Sequence, residues 1–337
     1  MLPLVSILIP AYNAQEWIAE TIRSALAQTW PNKEVIVVDD GSSDRTLAII
    51  RQFSAEGVTI VTQANQGASA ARNKAFSLCQ GDYIQWLDAD DLLAPDKIAK
   101  QMAVARQCSS KRTLFSCGWG YFMYRLSRAK FSPTALWCDL SPMEFILRRM
   151  ELNLHMSDAT WLVSRALTEA SGPWDTRLSF DDDGEYFCRV ILASNGIRFI
   201  PEATVLYRMV GPSRVSHIGQ SDKKKDAQFL SMKMQIGHLR SQSDDEKVRA
   251  ACVNYLQTWL IHFYPNRMDI VEQAGRLAKE LGGTLERPNI SWKYRWIQKT
   301  LGWTRARAAQ ICYNEWKTAL LRTWDKSMFR LEHHSES

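Results

Sequence analysis

Four short apolar runs in the first hundred residues, at 5–9, 34–38, 58–61 and 83–87, read as strands. The segments between them have helical period. Trp17, Ile18, Ile22 and Leu26 share one face, and a second pattern opens at Ser43 and Asp44 and continues through Leu47, Ile49, Ile50 and Phe53. Residues 67–78 are alanine-rich, and Pro95 stands where a first-turn proline opens a helix over 96–106. Apolar runs without alternation belong to strands buried on both faces. The expected class is therefore α/β: a Rossmann-like, mostly parallel sheet with helices on both faces.

Ligands of such sheets bind beyond the carboxyl ends of the strands. The four segments that follow the runs are Pro10-Ala11-Tyr12-Asn13, Asp39-Asp40-Gly41-Ser42, Gln63-Ala64-Asn65-Gln66-Gly67 and Asp88-Ala89-Asp90-Asp91. All four are polar, and two carry paired acids. Carboxylates at i and i+2, as in Asp88 and Asp90, can reach one pocket and suit a hard cation completed by phosphate oxygens. Capping of the next helix is the competing use of Asp90 and Asp91.

From about 112 to 217 the pattern is less regular, with short strands at 113–118, 160–163, 198–200 and 204–207 and many Trp and Tyr. Trp119, Tyr121, Tyr124, Trp137 and Trp161 could stack on a sugar, although core packing accounts for most such residues. Residues 219–226, with Lys223-Lys224-Lys225, read as a linker or an exposed helix start. Beyond them the chain is helical, interrupted by Pro265, Gly282-Gly283 and Pro288.

Composition narrows the classes. With 46% hydrophobic and 23% charged residues, a disordered or low-complexity chain is excluded. No apolar stretch approaches the roughly 20 residues that cross a bilayer, and the first residues lack the basic start of a signal peptide. Seven scattered cysteines without a Cys-x-x-Cys, and six histidines without a His-x-x-x-His, give zinc no support. Unpaired thiols point to a cytoplasmic, reducing location.

In their order and spacing, Pro10-Ala11-Tyr12-Asn13, Val37-Val38-Asp39-Asp40-Gly41-Ser42-Ser43-Asp44, Asn65-Gln66-Gly67 with Ala71-Arg72-Asn73, and Asp88-Ala89-Asp90-Asp91 resemble the inverting family 2 glycosyltransferases of the GT-A fold. The resemblance covers about residues 3–217. It implies a nucleotide-sugar half over 1–110, an acceptor and catalytic-base half over 111–217, and leaves 218–337 as a helical, basic, Trp-rich extension. The implied reaction is a metal-dependent inverting transfer from a nucleotide diphosphate sugar, a UDP-sugar first, to a hydroxyl of a glycan or lipid-linked acceptor in polysaccharide biosynthesis. Pro10 and Tyr12 would hold the base, with the Tyr12 ring stacked on it. Asp40 would accept a hydrogen bond from the base, Arg72 would sit at the base or diphosphate, Asp88 would reach the ribose, and Asp90 would ligate Mg²⁺ or Mn²⁺.

An inverting transfer also needs a carboxylate to take the acceptor proton. In Asp181-Asp182-Asp183-Gly184-Glu185-Tyr186-Phe187-Cys188-Arg189, the family spacing counted back from Arg189 selects Asp183, with Asp182 as its partner. Gly184 departs from the aromatic residue usual after that acid. Arg214 or His217 would be the basic group near the diphosphate.

Rival classes fit less well. A dinucleotide oxidoreductase would place Gly-x-Gly-x-x-Gly after the first strand. A glycoside hydrolase would use two carboxylates and no nucleotide. A catalytically silent nucleotide-sugar-binding regulator of the same fold is the alternative reading, and the presence of both Asp90 and Asp183 argues against it.

The last segment stands apart. Residues 288–330 hold nine basic side chains and two acids, +7 of the chain's net +6, so the remainder carries −1. They also hold five of the thirteen tryptophans: Trp292, Trp296, Trp303, Trp316 and Trp324. Trp292 and Trp296 would share a helix face, and Leu320, Trp324 and Met328 repeat that spacing. Such a segment suits the anionic inner face of a membrane as a peripheral contact, or else caps the catalytic domain. Nothing resembles a nucleic-acid module.

Overall fold

The computed structural model describes residues 2–209, 218, 219 and 221–334. β1 (Val5–Ala11), α1 (Ile18–Leu26), β2 (Lys33–Asp39), α2 (Thr46–Ile50), β3 (Val58–Thr62), α3 (Ala68–Leu78) and β4 (Tyr83–Trp86) alternate as the hydrophobic pattern predicts. β1 pairs in parallel with β2 and with β4, and β2 with β3. The sheet is buried on both faces because its strands send side chains into two cores. Leu8, Ile36 and Val38 enter one, and Val5, Ile7, Ile9, Val35 and Val37 the other.

After β5 (Leu92–Leu93) and α4 (Lys97–Ala105) come β6 (Thr113–Phe122), β7 (Lys130–Phe131), α5 (Pro142–Leu152), β8 (Val163–Ser164), α6 (Arg165–Ser171), α7 (Asp182–Ala193) and β9 (Gly196–Arg208). β8 closes the first sheet antiparallel to β4, giving the order β3-β2-β1-β4-β8. A second sheet, β5-β9-β6-β7, is mixed, with β6 and β9 parallel. Two expectations are corrected here. The strands expected at 198–200 and 204–207 are one strand, β9, whose register with β6 shifts between Cys117 and Gly118. The strand expected at 160–163 begins only at Val163, because Asp158–Thr160 is a turn of 3-10 helix.

The chain continues as α8 (Asp222–Gln242), α9 (Glu246–Phe263), α10 (Met268–Glu280), α11 (Arg295–Leu301) and α12 (Trp303–His334). The lysine-rich stretch is not a linker: α8 starts within it, and Lys225 is 2% exposed. Phe229, Met232 and Leu239 of α8 and Leu256 and Leu260 of α9 share one core with Trp86 and Trp161. These helices therefore complete the catalytic body. Only α11 and α12 extend from it, with a small core of their own around Ile290, Trp303 and Ala306.

Candidate active site

The carboxyl ends of β1 to β4 converge as the sheet rule requires. Tyr12 follows β1 with its side chain half in solvent, 52% exposed. Pro10 is buried inside β1, opposite Val38. Its missing N–H is tolerated because pairing with β4 has already stopped at Leu8. Asn13 takes φ 47° and ties two loops together, donating its N–H to Ser42 Oγ (3.0 Å) and accepting from Ser43 N (2.9 Å). Asp39 stays local, accepting from Ser42 N (3.3 Å).

Asp40 is 2% exposed. Its carboxylate accepts from Gln63 Nε2 (2.7 Å), Gln66 N (3.0 Å) and Gly67 N (2.8 Å), so it organises the loop before α3. Gly41 lies between these loops at φ 71°, where a Cβ would stand 2.8 Å from Asn65 N. Only glycine lets the two loops approach this closely.

Arg72, projecting from α3, is the hub. Nη1 donates to Asp182 Oδ2 (2.8 Å), and Nη2 to Asp88 Oδ1 (2.6 Å) and Asp158 Oδ2 (3.3 Å). The Trp174 ring lies 4.4 Å from the guanidinium carbon. Burial works against the charge on Arg72, but Asp88, Asp182, Asp158 and Asp183 together raise its pKa above the ordinary arginine value. The acids respond in kind. Burial holds Asp158 well above the carboxylate range, with Asp88 adding to the shift, and burial raises Asp182 against the pull of Arg72. Arg72, Asp88, Asp182 and Asp183, all selected from the sequence, therefore share one cluster. Asp158 also belongs to it, and sequence reasoning missed it. The available signal was an acid placed directly before the apolar stretch Ala159–Val163, where only a paired carboxylate is tolerated.

The loop after β4 is clamped from behind by Arg208, the last residue of β9. Arg208 Nε donates to Asp90 O (2.8 Å), its N–H to Asp91 Oδ1 (2.8 Å), and Nη2 to Glu20 (2.5 Å). Asp88 and Asp90 keep partial exposure. Asp91 is fully buried, and its Oδ2 has no hydrogen-bond partner among the described residues. Burial, then Asp90 and Asp88, push the Asp91 carboxyl well above its usual range. Acid in excess of base at a strand end is the donor set that a hard divalent cation uses with phosphate oxygens. No cage of three or more ligand side chains exists among the described residues. The residues thus fit a cation that substrate phosphates complete, and do not fit a closed protein site.

The acidic first turn of α7, with Asp181 just before it, faces this edge. Asp182 is 7% exposed and bound to Arg72 and Ser69 (3.0 Å). Asp183, part exposed, accepts from its neighbour Gly184 N (2.9 Å). Asp181 takes φ 55° and turns its carboxylate toward α8, accepting from Gln228 (3.1 Å), Ser231 (2.6 Å) and Gln235 (2.8 Å). That arrangement explains Gly184: a Cβ there would lie 2.2 Å from Asp181 Oδ1. Arg189 supports the helix by pairing with Glu185 (2.8 Å).

Trp161, 1% exposed, is core, and Trp119, Tyr121 and Trp137 are half-buried. Tyr124, 9% exposed, packs on Phe329 of α12. Arg214 and His217 lie outside the described residues.

The family described as Glycosyl transferase family 2 matches residues 6–167. The chain is 30% identical over 199 residues to the glycosyltransferase RP339 of Rickettsia prowazekii, covering 57% of this chain and 60% of that one. It is 47% identical over 98 residues to the chondroitin synthase of Escherichia coli, covering 28% of this chain and 14% of that one. The chain thus spans less than two thirds of either relative. Among solved structures, the S. aureus TarS 1–349 complex with UDP-GlcNAc superposes with a TM-score of 0.66 at 17% identity, covering 82% of this chain and 80% of that one.

Proposed function

We propose that this chain, which matches glycosyltransferase family 2 over residues 6–167 and has the GT-A fold, transfers a sugar, with inversion, from a UDP-sugar to a hydroxyl of a glycan or lipid-linked acceptor in polysaccharide assembly. The UDP-sugar is supported by the ligand named for the TarS complex, and the polysaccharide by the name chondroitin synthase. One observation carries the mechanism. In the acidic turn Asp182 is tied to Arg72 and Asp181 to α8, which leaves Asp183, bonded among the described residues only to its neighbour Gly184 N, as the carboxylate not tied to another element.

The Tyr12 ring offers the base a face to stack on. Asp183 accepts the proton of the acceptor hydroxyl as that oxygen attacks the anomeric carbon. The bond from carbon to the diphosphate oxygen breaks on the opposite side, and the nucleoside diphosphate leaves with the bonding pair. Asp90 would hold Mg²⁺ or Mn²⁺, which when bound neutralises charge on the leaving diphosphate, and Asp88 would reach the ribose. Arg72 keeps Asp88 and Asp182 in register across the cleft.

Proton NMR of the product from a UDP-sugar panel tests this. An inverted anomeric configuration is expected, and product formation should stop reversibly in EDTA. Asp183→Asn should lower turnover by about 10²–10⁴-fold while nucleotide binding persists. Binding of UDP-sugar with no turnover on any acceptor would favour the silent regulator. A retained configuration would refute the mechanism.

A further inference from the structure

The carboxy-terminal helices present a surface that the transfer chemistry does not use. α12 is anchored near its two ends. At its start Trp303 and Ala306 are buried, with the Tyr264 and Trp303 rings 4.7 Å apart edge-on. Toward its end Asp325 accepts from Tyr124 N (2.9 Å) and Arg125 Nε (2.7 Å). Between these anchors every residue from 312 to 321 is exposed.

The apolar side chains on this bridge are not scattered. Tyr313, Trp316, Leu320, Trp324 and Leu331, each at least half exposed, recur at helical spacing along one stripe. Asp325 and Phe329, which meet the catalytic body, lie on another side of the helix. Trp324 stands at the edge of the stripe, its ring 5.0 Å from the Arg125 guanidinium, while Tyr313, Trp316, Leu320 and Leu331 face solvent. Trp292 and Trp296, ahead of and within α11, add rings that are 72% and 65% exposed. Of the five tail tryptophans, only Trp303 is buried.

We propose that this surface rests on an anionic lipid bilayer, with the aromatic stripe at the level of the headgroups and the basic side chains on the lipid phosphates. Three observations select this occupant. Residues 288–330 carry +7 while the rest of the chain carries −1, so the attraction to an anionic surface is local to the stripe. Aromatic and leucine side chains beside lysine and arginine are what an interfacial helix requires. A second copy of the chain fits poorly. The heptad register that continues Tyr313, Trp316 and Leu320 runs on to Thr323 and Ser327, whereas the apolar residues move to Trp324 and Leu331. That drift belongs to a straight helix on a flat surface rather than to a coiled coil. No helix among the described residues is long and apolar enough to cross a membrane, so the helix lies on the bilayer.

Co-sedimentation of the full chain with phosphatidylcholine vesicles, with and without phosphatidylglycerol, tests the surface. Pelleting is expected only with phosphatidylglycerol, and it should weaken as salt rises. Trp316→Ser with Leu320→Ser should lower the partition by at least about tenfold. Lys293→Gln and Lys299→Gln should lower it by about fivefold each. All four side chains are exposed, so far-UV dichroism and the melting temperature should stay at wild-type values. The proposal fails if the chain does not pellet with phosphatidylglycerol, or if the Trp316→Ser, Leu320→Ser variant pellets like wild type. A dimer in light scattering that this variant dissolves would assign the stripe to a second copy. Retention on RNA without vesicle binding would assign it to nucleic acid.

Discussion

The two walls of the cleft are built by different means. On the nucleotide side, the loops beyond β1, β2 and β3 are stapled to one another. Asp40 N donates to Ala11 O (2.8 Å), and Ala14 N to Thr46 Oγ1 (2.7 Å). The strands that launch these loops adjoin in the sheet, so the edge forms once the sheet forms. On the acceptor side, the turn at Asp181-Asp182-Asp183 is fixed from outside. Ser231, Gln228 and Gln235 hold it from α8, and Arg72 reaches it from α3. The proposed base therefore depends on a helix some fifty residues further along the chain. The nucleotide wall should tolerate change elsewhere in the protein, and the acceptor wall should not.

The largest expected break in that contrast is at Arg72, which pairs with Asp88, Asp158 and Asp182 at once. Arg72→Met leaves Asp158 and Asp182 buried without a counter-charge, at a cost of about 3–5 kcal/mol in urea unfolding near pH 7. The cost should shrink near pH 5, because Asp158 and Asp182 already have raised pKa values and take up protons more readily there. A loss below about 1 kcal/mol at both pH values would mean that the walls are held together by packing alone.

A smaller break sharpens the comparison within the acceptor wall. Gly184→Ala forces a Cβ against an Asp181 carboxylate that three donors prevent from turning aside. The expected cost is about 1–3 kcal/mol, with slower turnover. Gly237→Ala, on α8 where a Cβ meets nothing within 4 Å, should instead be neutral or gain up to about 1 kcal/mol. Equal melting temperatures for the two variants would show that Asp181 does not occupy the space above Gly184.

The same contrast explains what the sequence made legible. β1 to β4 and their loops follow from periodicity, because a buried parallel strand declares itself in four or five consecutive residues. Asp183 was singled out through the family resemblance, by counting back from Arg189, and both residues lie on α7. Asp158 and Asp181 could not be assigned, since their partners are more than forty residues away. α8 was obscured for a related reason. Its buried face includes Lys225, Gln228, Ser231 and Gln235, a polar set that reads as a solvated face until Asp181 is placed against it. The role of Arg208 follows only from β9 bringing it behind Asp90 and Asp91.

The smallest effect tests whether the α8 clamp holds a neutral or a charged carboxyl. Burial first, then the charge of Asp183, raises Asp181 from its ordinary 3.8 to about 7, against the lowering influence of Arg149, Ser231 and Gln228. Between about pH 4 and pH 7 the folded protein thus holds a proton at Asp181 that the unfolded chain has released. Stability falls with rising pH wherever the folded state binds more protons, so this group's contribution declines across that window. Asp181→Asn keeps the shape and an acceptor oxygen for Ser231 and the two glutamines, and it has no proton to lose. Other titrating groups are common to both proteins and cancel in the difference. The variant should therefore gain on wild type as pH rises from 5 to 8, by an amount readable in paired urea titrations. A difference that stays flat, or that slopes the other way, would mean that Asp181 is already ionised at pH 5. The three donors of α8 would then be holding a charge, and Asp183, the proposed base, would work beside a second full negative charge throughout.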